Sequence, residues 1–98
     1  MESHLERLAD ARAVKLGWFI RKLSWVGRRS APDKFYARRG VVILIEYKQP
    51  GEPLRPDQFL ELKALRKYGV IVFVVDNLKS AYAIFEKEIG FEELSIIG

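Results

Sequence analysis

The chain has 98 residues, no cysteine, and 17 basic against 13 acidic side chains, a net charge of +4. That length suits one compact domain, 1–98, and leaves no room for two. Missing thiols exclude disulfides, thiolate metal sites and a cysteine nucleophile.

No stretch approaches the ~20 apolar residues that span a bilayer. The charged N-terminus lacks the apolar run of a signal peptide. A soluble cytoplasmic protein, with no membrane partner, is therefore expected. A domain this small buries only about 60–65% of its unfolded surface, which favours a homodimer.

In chain order, Ser3-His4-Leu5-Glu6 reads as a capping box that opens a helix. Leu5, Leu8, Ala9, Val14 and Leu16 give that helix an apolar face, and Gly17 ends it. Trp18 to Leu23 reads as a strand, and Trp25 to Ala31 as a basic loop. Asp33 to Ala37 and Val41 to Lys48 read as a hairpin about Arg39-Gly40. The second strand is apolar on both faces over Val41 to Ile45, the pattern of a central, covered strand.

Gln49 to Leu54 is a loop containing Pro50, Gly51 and Pro53. A helix runs from Pro56 to Tyr68, with Phe59, Leu62 and Leu65 inward and Gly69 as its C-terminal cap. Val70 to Val75 is a buried strand, Asn77 to Lys87 a third helix, and Gly90 to Gly98 a short edge strand or loose tail. The β-α-β unit from Val41 to Val75 supplies a parallel pair through a right-handed crossover. The fold class is α/β, a central mixed sheet flanked by helices.

The segment Arg21 to Arg39 carries seven basic residues against one acid, Asp33. It suits a polyanion, or is simply a solvated face. With a two-residue loop at Arg39-Gly40, facing residues have numbers that sum to 79, and Asp33 faces Glu46. Opposed residues have Cβ atoms roughly 4.5–5.5 Å apart, so two carboxylates would sit side by side.

A hard divalent ion, Mg²⁺ or Mn²⁺, would relieve that repulsion, with the Tyr47 carbonyl as a further oxygen ligand. Lys48 projects from the same face, two residues beyond Glu46, beside the ion and its water. The set suits phosphodiester hydrolysis. Arg-Gly is a weak hairpin signal, however, and a one-residue slip would swap faces. Asp33 would then be a turn residue, and Glu46 with Lys48 an ion pair at a strand end. Gln58 lies on the inward stripe of its helix and needs a partner, either at this centre or in the loop backbone.

Pro32-Asp33 followed by Glu46-Tyr47-Lys48 resembles the signature of the PD-(D/E)xK nucleases. The wider pattern resembles their VRR-NUC branch, the virus-type replication-repair nucleases. The matching features are Glu2 in the first helix, Gly17 before Lys22, Pro32-Asp33, Glu46-Tyr47-Lys48, Arg55 to Gln58, and Leu65 to Gly69 before an apolar strand. They run from about residue 2 to 88.

The resemblance implies a restriction-endonuclease-like core of order α-β-β-β-α-β. It implies metal ligation by Asp33, Glu46 and the Tyr47 carbonyl, with Lys48 as the catalytic lysine and Gln58 and Glu2 near that centre, Gln58 as a catalytic side chain and Glu2 reaching the metal through a water. It further implies a dimer that cuts branched DNA such as Holliday junctions in DNA repair, in a bacterium or a phage-infected cell. Members often carry glycine before Pro-Asp, where this chain has Arg29-Ser30-Ala31.

Lys22, Arg28, Arg29 and Arg55 are candidate phosphate contacts. Of the interleaved aromatic residues, most are expected in core or dimer packing. The rival readings are a non-catalytic nucleic-acid-binding module and an interaction protein.

Overall fold

The computed structural model describes residues 2–87; the segment from Gly90 onward lies outside them. Helix α1 spans His4–Lys15, strands β1 Phe19–Lys22, β2 Lys34–Arg38 and β3 Val41–Tyr47 follow, then α2 Pro56–Lys67, β4 Ile71–Val75 and α3 Leu78–Glu86. The strands form one sheet in the order β1-β2-β3-β4. The first two pairings are antiparallel and β3–β4 is parallel, so the sheet is mixed.

Local chemistry sets the element ends. Ser3 caps α1 by accepting the Glu6 N–H at 3.1 Å, and Asn77 caps α3 by accepting the Ser80 N–H at 2.8 Å. Gly69, at φ +88°, follows α2 in the left-handed conformation that favours glycine. At the hairpin, Arg39 and Gly40 both have positive φ, 51° and 79°. That is the sign pattern of a type I′ turn, whose twist suits tightly joined strands. A non-glycine residue held there costs about 1 kcal/mol, which Arg39 carries.

The sheet separates two cores. On one face α1 and α3 cover Tyr36, Ile43, Ile45, Tyr47, Ile71 and Val75, with Phe85 and Trp18 among them. On the other, α2 covers a smaller cluster of Leu44, Leu62 and Val72. β3 lies between β2 and β4, as its apolar run requires. One position of that run breaks the pattern: Val42 is 43% exposed because α2 does not reach it.

Two helix faces also differ from expectation. The buried stripe of α1 is Glu6, Ala9 and Ala13, while Leu8 and Val14 are exposed. Small residues let α1 lie close to the sheet. Phe59 is 55% exposed rather than inward, since Gln58 and Leu62 take the buried side of α2. Phe19 is likewise exposed, and Trp18, Tyr36 and Phe85 carry the aromatic core.

Candidate active site

The site forms where β2 and β3 separate. Paired residues run from Arg38↔Val41 to Lys34↔Ile45, and Asp33 and Glu46 are the residues that follow this last pair. Both acids belong to the sheet face that α2 covers. Asp33 Oδ2 accepts the Tyr47 N–H at 2.8 Å, a bond that fixes the Asp33 carboxylate to the backbone beside Glu46.

In antiparallel register the residue opposite Tyr47 would be Pro32, which has no N–H to donate. Within a strand, N–H and C=O of one residue point to the same side. The Tyr47 carbonyl therefore also points toward Asp33, past the last β2 pair, with no ladder N–H from Pro32 to receive. The Lys48 N–H points the other way and donates to the Val75 carbonyl at 2.9 Å.

Glu46 is 4% exposed and holds two polar contacts. Gln58 Nε2 donates to its Oε2 at 3.0 Å, and Lys48 Nζ stands 3.7 Å from the same oxygen. Burial, then the like charge of Asp33, pushes the Glu46 carboxyl up to about 7, against the partial relief of Lys48 and Arg55. Burial also raises the Asp33 carboxyl, partly offset by the Tyr47 N–H and by Lys48.

Gln58 joins the start of α2 to Glu46. Its Oε1 accepts the Arg55 N–H at 3.0 Å at the start of α2, which turns its amide nitrogen toward Glu46. Lys48 is 7% exposed, with Glu52 as its second partner at 3.6 Å. Glu52 itself is held by the Gln49 N–H at 2.9 Å.

On its other side Asp33 lines a cleft of about 160 Å³ with Glu2, Glu6, Lys22 and Leu23. Glu2 contributes its carboxylate to an ion pair with Lys34 at 2.9 Å. Its hydrogen bond to Lys34 is the largest influence holding it below the usual carboxylate range, with the charge of Lys22 adding to it. Glu6 supplies only half of the expected capping box. Its N–H bonds Ser3, whereas its carboxyl joins the cleft, where burial and then Asp33 raise its proton affinity.

Behind the site lies a polar network that the sequence reading did not contain. Lys34, 5% exposed, is held between Glu2 and Asp10, each at 2.9 Å. Burial opposes its charge, but the two carboxylates outweigh burial and hold the ammonium above its ordinary value. Tyr36 donates its hydroxyl to Asp10 at 2.6 Å, and Tyr47 and Tyr36 hydroxyls meet at 2.7 Å. Burial drives both phenols well above their usual range, so they remain neutral.

The basic segment is less cationic than its composition indicates. Lys34 is buried, and Arg38 lies over the Trp18 ring while donating to the Leu16 carbonyl. Arg28 faces Glu61 at 3.7 Å, and Arg29 faces Asp57 at 3.5 Å, both acids of α2. Arg55 also pairs with Asp57 at 3.1 Å and donates to the Arg29 carbonyl at 3.1 Å. These three arginines gather at the α2 N-terminus, while Lys22 flanks the cleft. Arg28 and Arg29 remain largely exposed, their side chains at 66% and 79%.

The residues fit a hard dication. Among the described residues, no three His, Cys, Asp or Glu side chains converge on one point. Asp33, Glu46 and the Tyr47 carbonyl would offer an ion two carboxylates and a main-chain carbonyl, all oxygen. That suits an ion such as Mg²⁺, which keeps several waters and uses one or two carboxylates. The raised proton affinity of Glu46 is the behaviour of a buried acid whose positive partner is too weak.

No family model matches the chain. It is 34% identical over 77 residues to the p44 protein of Acyrthosiphon pisum secondary endosymbiont phage 1, which carries a provisional nuclease name. That match spans 78% of this chain and 83% of the phage protein. A solved VRR-NUC domain superposes with a TM-score of 0.77 at 36% identity, over 84% of this chain and 90% of that one.

Proposed function

The chain belongs to the VRR-NUC family of nucleases, and from that premise we propose that it is an Mg²⁺- or Mn²⁺-dependent endonuclease acting on branched DNA. The observation that supports this reading is the convergence just past the last β2–β3 pair: Asp33 Oδ2 accepts the Tyr47 N–H at 2.8 Å, beside Glu46, and Lys48 Nζ stands 3.7 Å from Glu46.

Asp33, Glu46 and the Tyr47 carbonyl are the residues that would hold the ion. When bound, a divalent cation supplies Lewis-acid polarisation of a phosphoryl oxygen and eases deprotonation of water. The chain's own groups do the rest. Lys48 stands beside Glu46 with its ammonium shielded from solvent, where it offsets the charge that develops on the phosphate or orients the attacking water. Water oxygen attacks phosphorus, one phosphodiester P–O bond breaks, and the released sugar oxygen takes a proton.

Gln58 fixes the Glu46 carboxylate through its donated hydrogen bond. Glu2 and Lys22 bound the open side of the cleft, and Lys22 offers a positive charge there. Arg28, Arg29 and Arg55 contact the phosphates that flank the scissile bond, positioning the strand without reading sequence. A phosphate competes with Asp57 and Glu61 for these guanidinium groups.

Branched DNA such as a Holliday junction is the substrate assigned, cut by a homodimer in DNA repair. Apolar surface left open on the α2 face, at Phe19 and Val42, favours pairing of two copies. A cleavage panel tests this reading. Four-way junctions, flaps, duplex and single strands are incubated with Mg²⁺, Mn²⁺ or EDTA, beside the Lys48→Ala protein. Ion-dependent scission of the branched substrates, lost in Lys48→Ala, is expected. Tight, salt-sensitive DNA binding with no cleavage under any ion would leave a binding module instead.

A further inference from the structure

Side chains alternate along a strand, so the residues between the site residues point to the opposite face of the sheet. Lys34 follows Asp33, and Tyr47 lies between Glu46 and Lys48. Both project toward α1, where Lys34 meets the Asp10 carboxylate directly and Tyr47 reaches it through the Tyr36 hydroxyl. Asp10 Oδ2 receives Lys34 Nζ at 2.9 Å, and Asp10 Oδ1 receives the Tyr36 hydroxyl at 2.6 Å. Tyr36 donates its single hydroxyl proton to Asp10, which leaves Tyr47 to donate its own to Tyr36 at 2.7 Å.

We propose that Asp10 is a positioning residue. It anchors β2 from behind the sheet through Lys34 and Tyr36, reaches β3 through the Tyr36–Tyr47 hydroxyl contact, and so sets the separation of Asp33 and Glu46 at the end where the two strands part. The inference rests on the reading of those two acids as the ion site.

Three features support it. First, the regular pairing stops at Lys34↔Ile45, and beyond it Pro32 has no N–H for the Tyr47 carbonyl, so the Tyr47 N–H to Asp33 Oδ2 bond holds the front of the site without a further ladder bond. Second, the network reaches each site strand through the residue next to a site acid, so movement of Lys34 or Tyr47 moves Asp33 or Glu46. Third, Lys34 also holds Glu2, which lines the cleft beside Asp33. Asp10 thereby orders both the floor and the rim of the site while touching no substrate.

Packing of α1 explains why an aspartate reaches this far. Ala9 and Ala13 are fully buried and let the helix approach the sheet closely. A short carboxylate at Asp10 then meets Lys34 and Tyr36 directly.

The test uses the full chain with Asp10→Asn and Tyr36→Phe. Asp10→Asn leaves Lys34 its Glu2 partner, and Tyr36→Phe alters no charge. Mn²⁺ affinity is measured by titration calorimetry on the DNA-free protein, with melting temperature and ion-dependent cleavage alongside. Groups that orient metal ligands at one remove typically contribute roughly 10–100-fold in affinity, so about tenfold weaker Mn²⁺ binding is expected for Asp10→Asn, and a smaller loss for Tyr36→Phe. The Mn²⁺ concentration for half-maximal cleavage should rise by the same factor, with the rate at saturating ion within about threefold of wild type.

A role confined to folding would lower the melting temperature and leave Mn²⁺ affinity unchanged in both variants; that result overturns the proposal. If Asp10→Asn does not fold, unchanged Mn²⁺ affinity in Tyr36→Phe overturns it equally. A wild-type protein that neither binds Mn²⁺ nor cleaves DNA would instead remove the ion site itself, and the positioning role with it.

Discussion

Replacing Glu46 with glutamine should make the ion-free protein more stable at pH 8, not less. The wild-type carboxyl is raised from 4.5 to about 7 in the fold, chiefly by burial and then by Asp33. An acid whose folded pKa is raised favours the folded state only while protonated. Its contribution is complete below about 4.5, declines as pH rises, and is gone above about 7. At about 1.4 kcal/mol per pH unit, the ionised carboxylate costs the ion-free fold about 3 kcal/mol at pH 8.

The glutamine side chain of that variant would keep the shape and still accept the Gln58 amide. Lys48 would lose one partner but keep Glu52 at 3.6 Å. A net gain of about 2 kcal/mol is therefore expected, or roughly 10 °C in melting temperature for a domain of this size. The assay is thermal denaturation in EDTA from pH 5 to 8. The two proteins should nearly coincide at pH 5 and diverge above pH 6. Saturating Mn²⁺ should reverse the order, since an ion at about 100 times its dissociation constant adds about 2.7 kcal/mol to the protein that binds it. A variant equal to or weaker than wild type at pH 8, or a difference that does not change with pH, would refute the reasoning.

Two further outcomes follow from the contacts around α2. Gln58→Ala should cost about 1 kcal/mol of stability through the lost cap at Arg55, and should also weaken Mn²⁺ binding because Glu46 loses its fixed donor; denaturation and calorimetry read the two effects separately. Arg28→Ala should weaken DNA binding and reduce the salt slope by about one, whereas Glu61→Gln, which frees Arg28, should tighten binding by up to about fivefold, as measured by fluorescence anisotropy across a salt series.

Much of the site was legible because its geometry is local. Arg39-Gly40 fixes a two-residue turn, the turn fixes the register as far as Lys34↔Ile45, and Asp33 and Glu46 are the residues that follow that pair. The parallel pair of β3 and β4 followed equally from the length of the segment between Val41 and Val75. The capping residues Ser3 and Asn77 could be read from their side chains alone.

What escaped was set by partners distant in sequence. Lys34 sits in a basic run and reads as a surface cation, yet Glu2 and Asp10 of the N-terminal segment bury it. The apparent excess of positive charge around Arg28 and Arg29 is reduced by Asp57 and Glu61, roughly thirty positions away, on α2. Phe59 reads as core by spacing, but the need to seat Gln58 against Glu46 rotates α2 and turns the ring outward. Glu6 satisfied a capping motif, and that local explanation concealed its carboxyl at the cleft. Its position on the Ala9 and Ala13 stripe was the available signal.

The most direct measurement is single-turnover cleavage of a four-way junction in saturating Mn²⁺ by Asp33→Asn and by Glu46→Gln, each at DNA concentrations where binding is complete. Both should bind the junction as wild type does and cut it at least about a thousandfold more slowly. Cleavage by either variant within about tenfold of wild type would contradict a shared ion held between these two carboxylates.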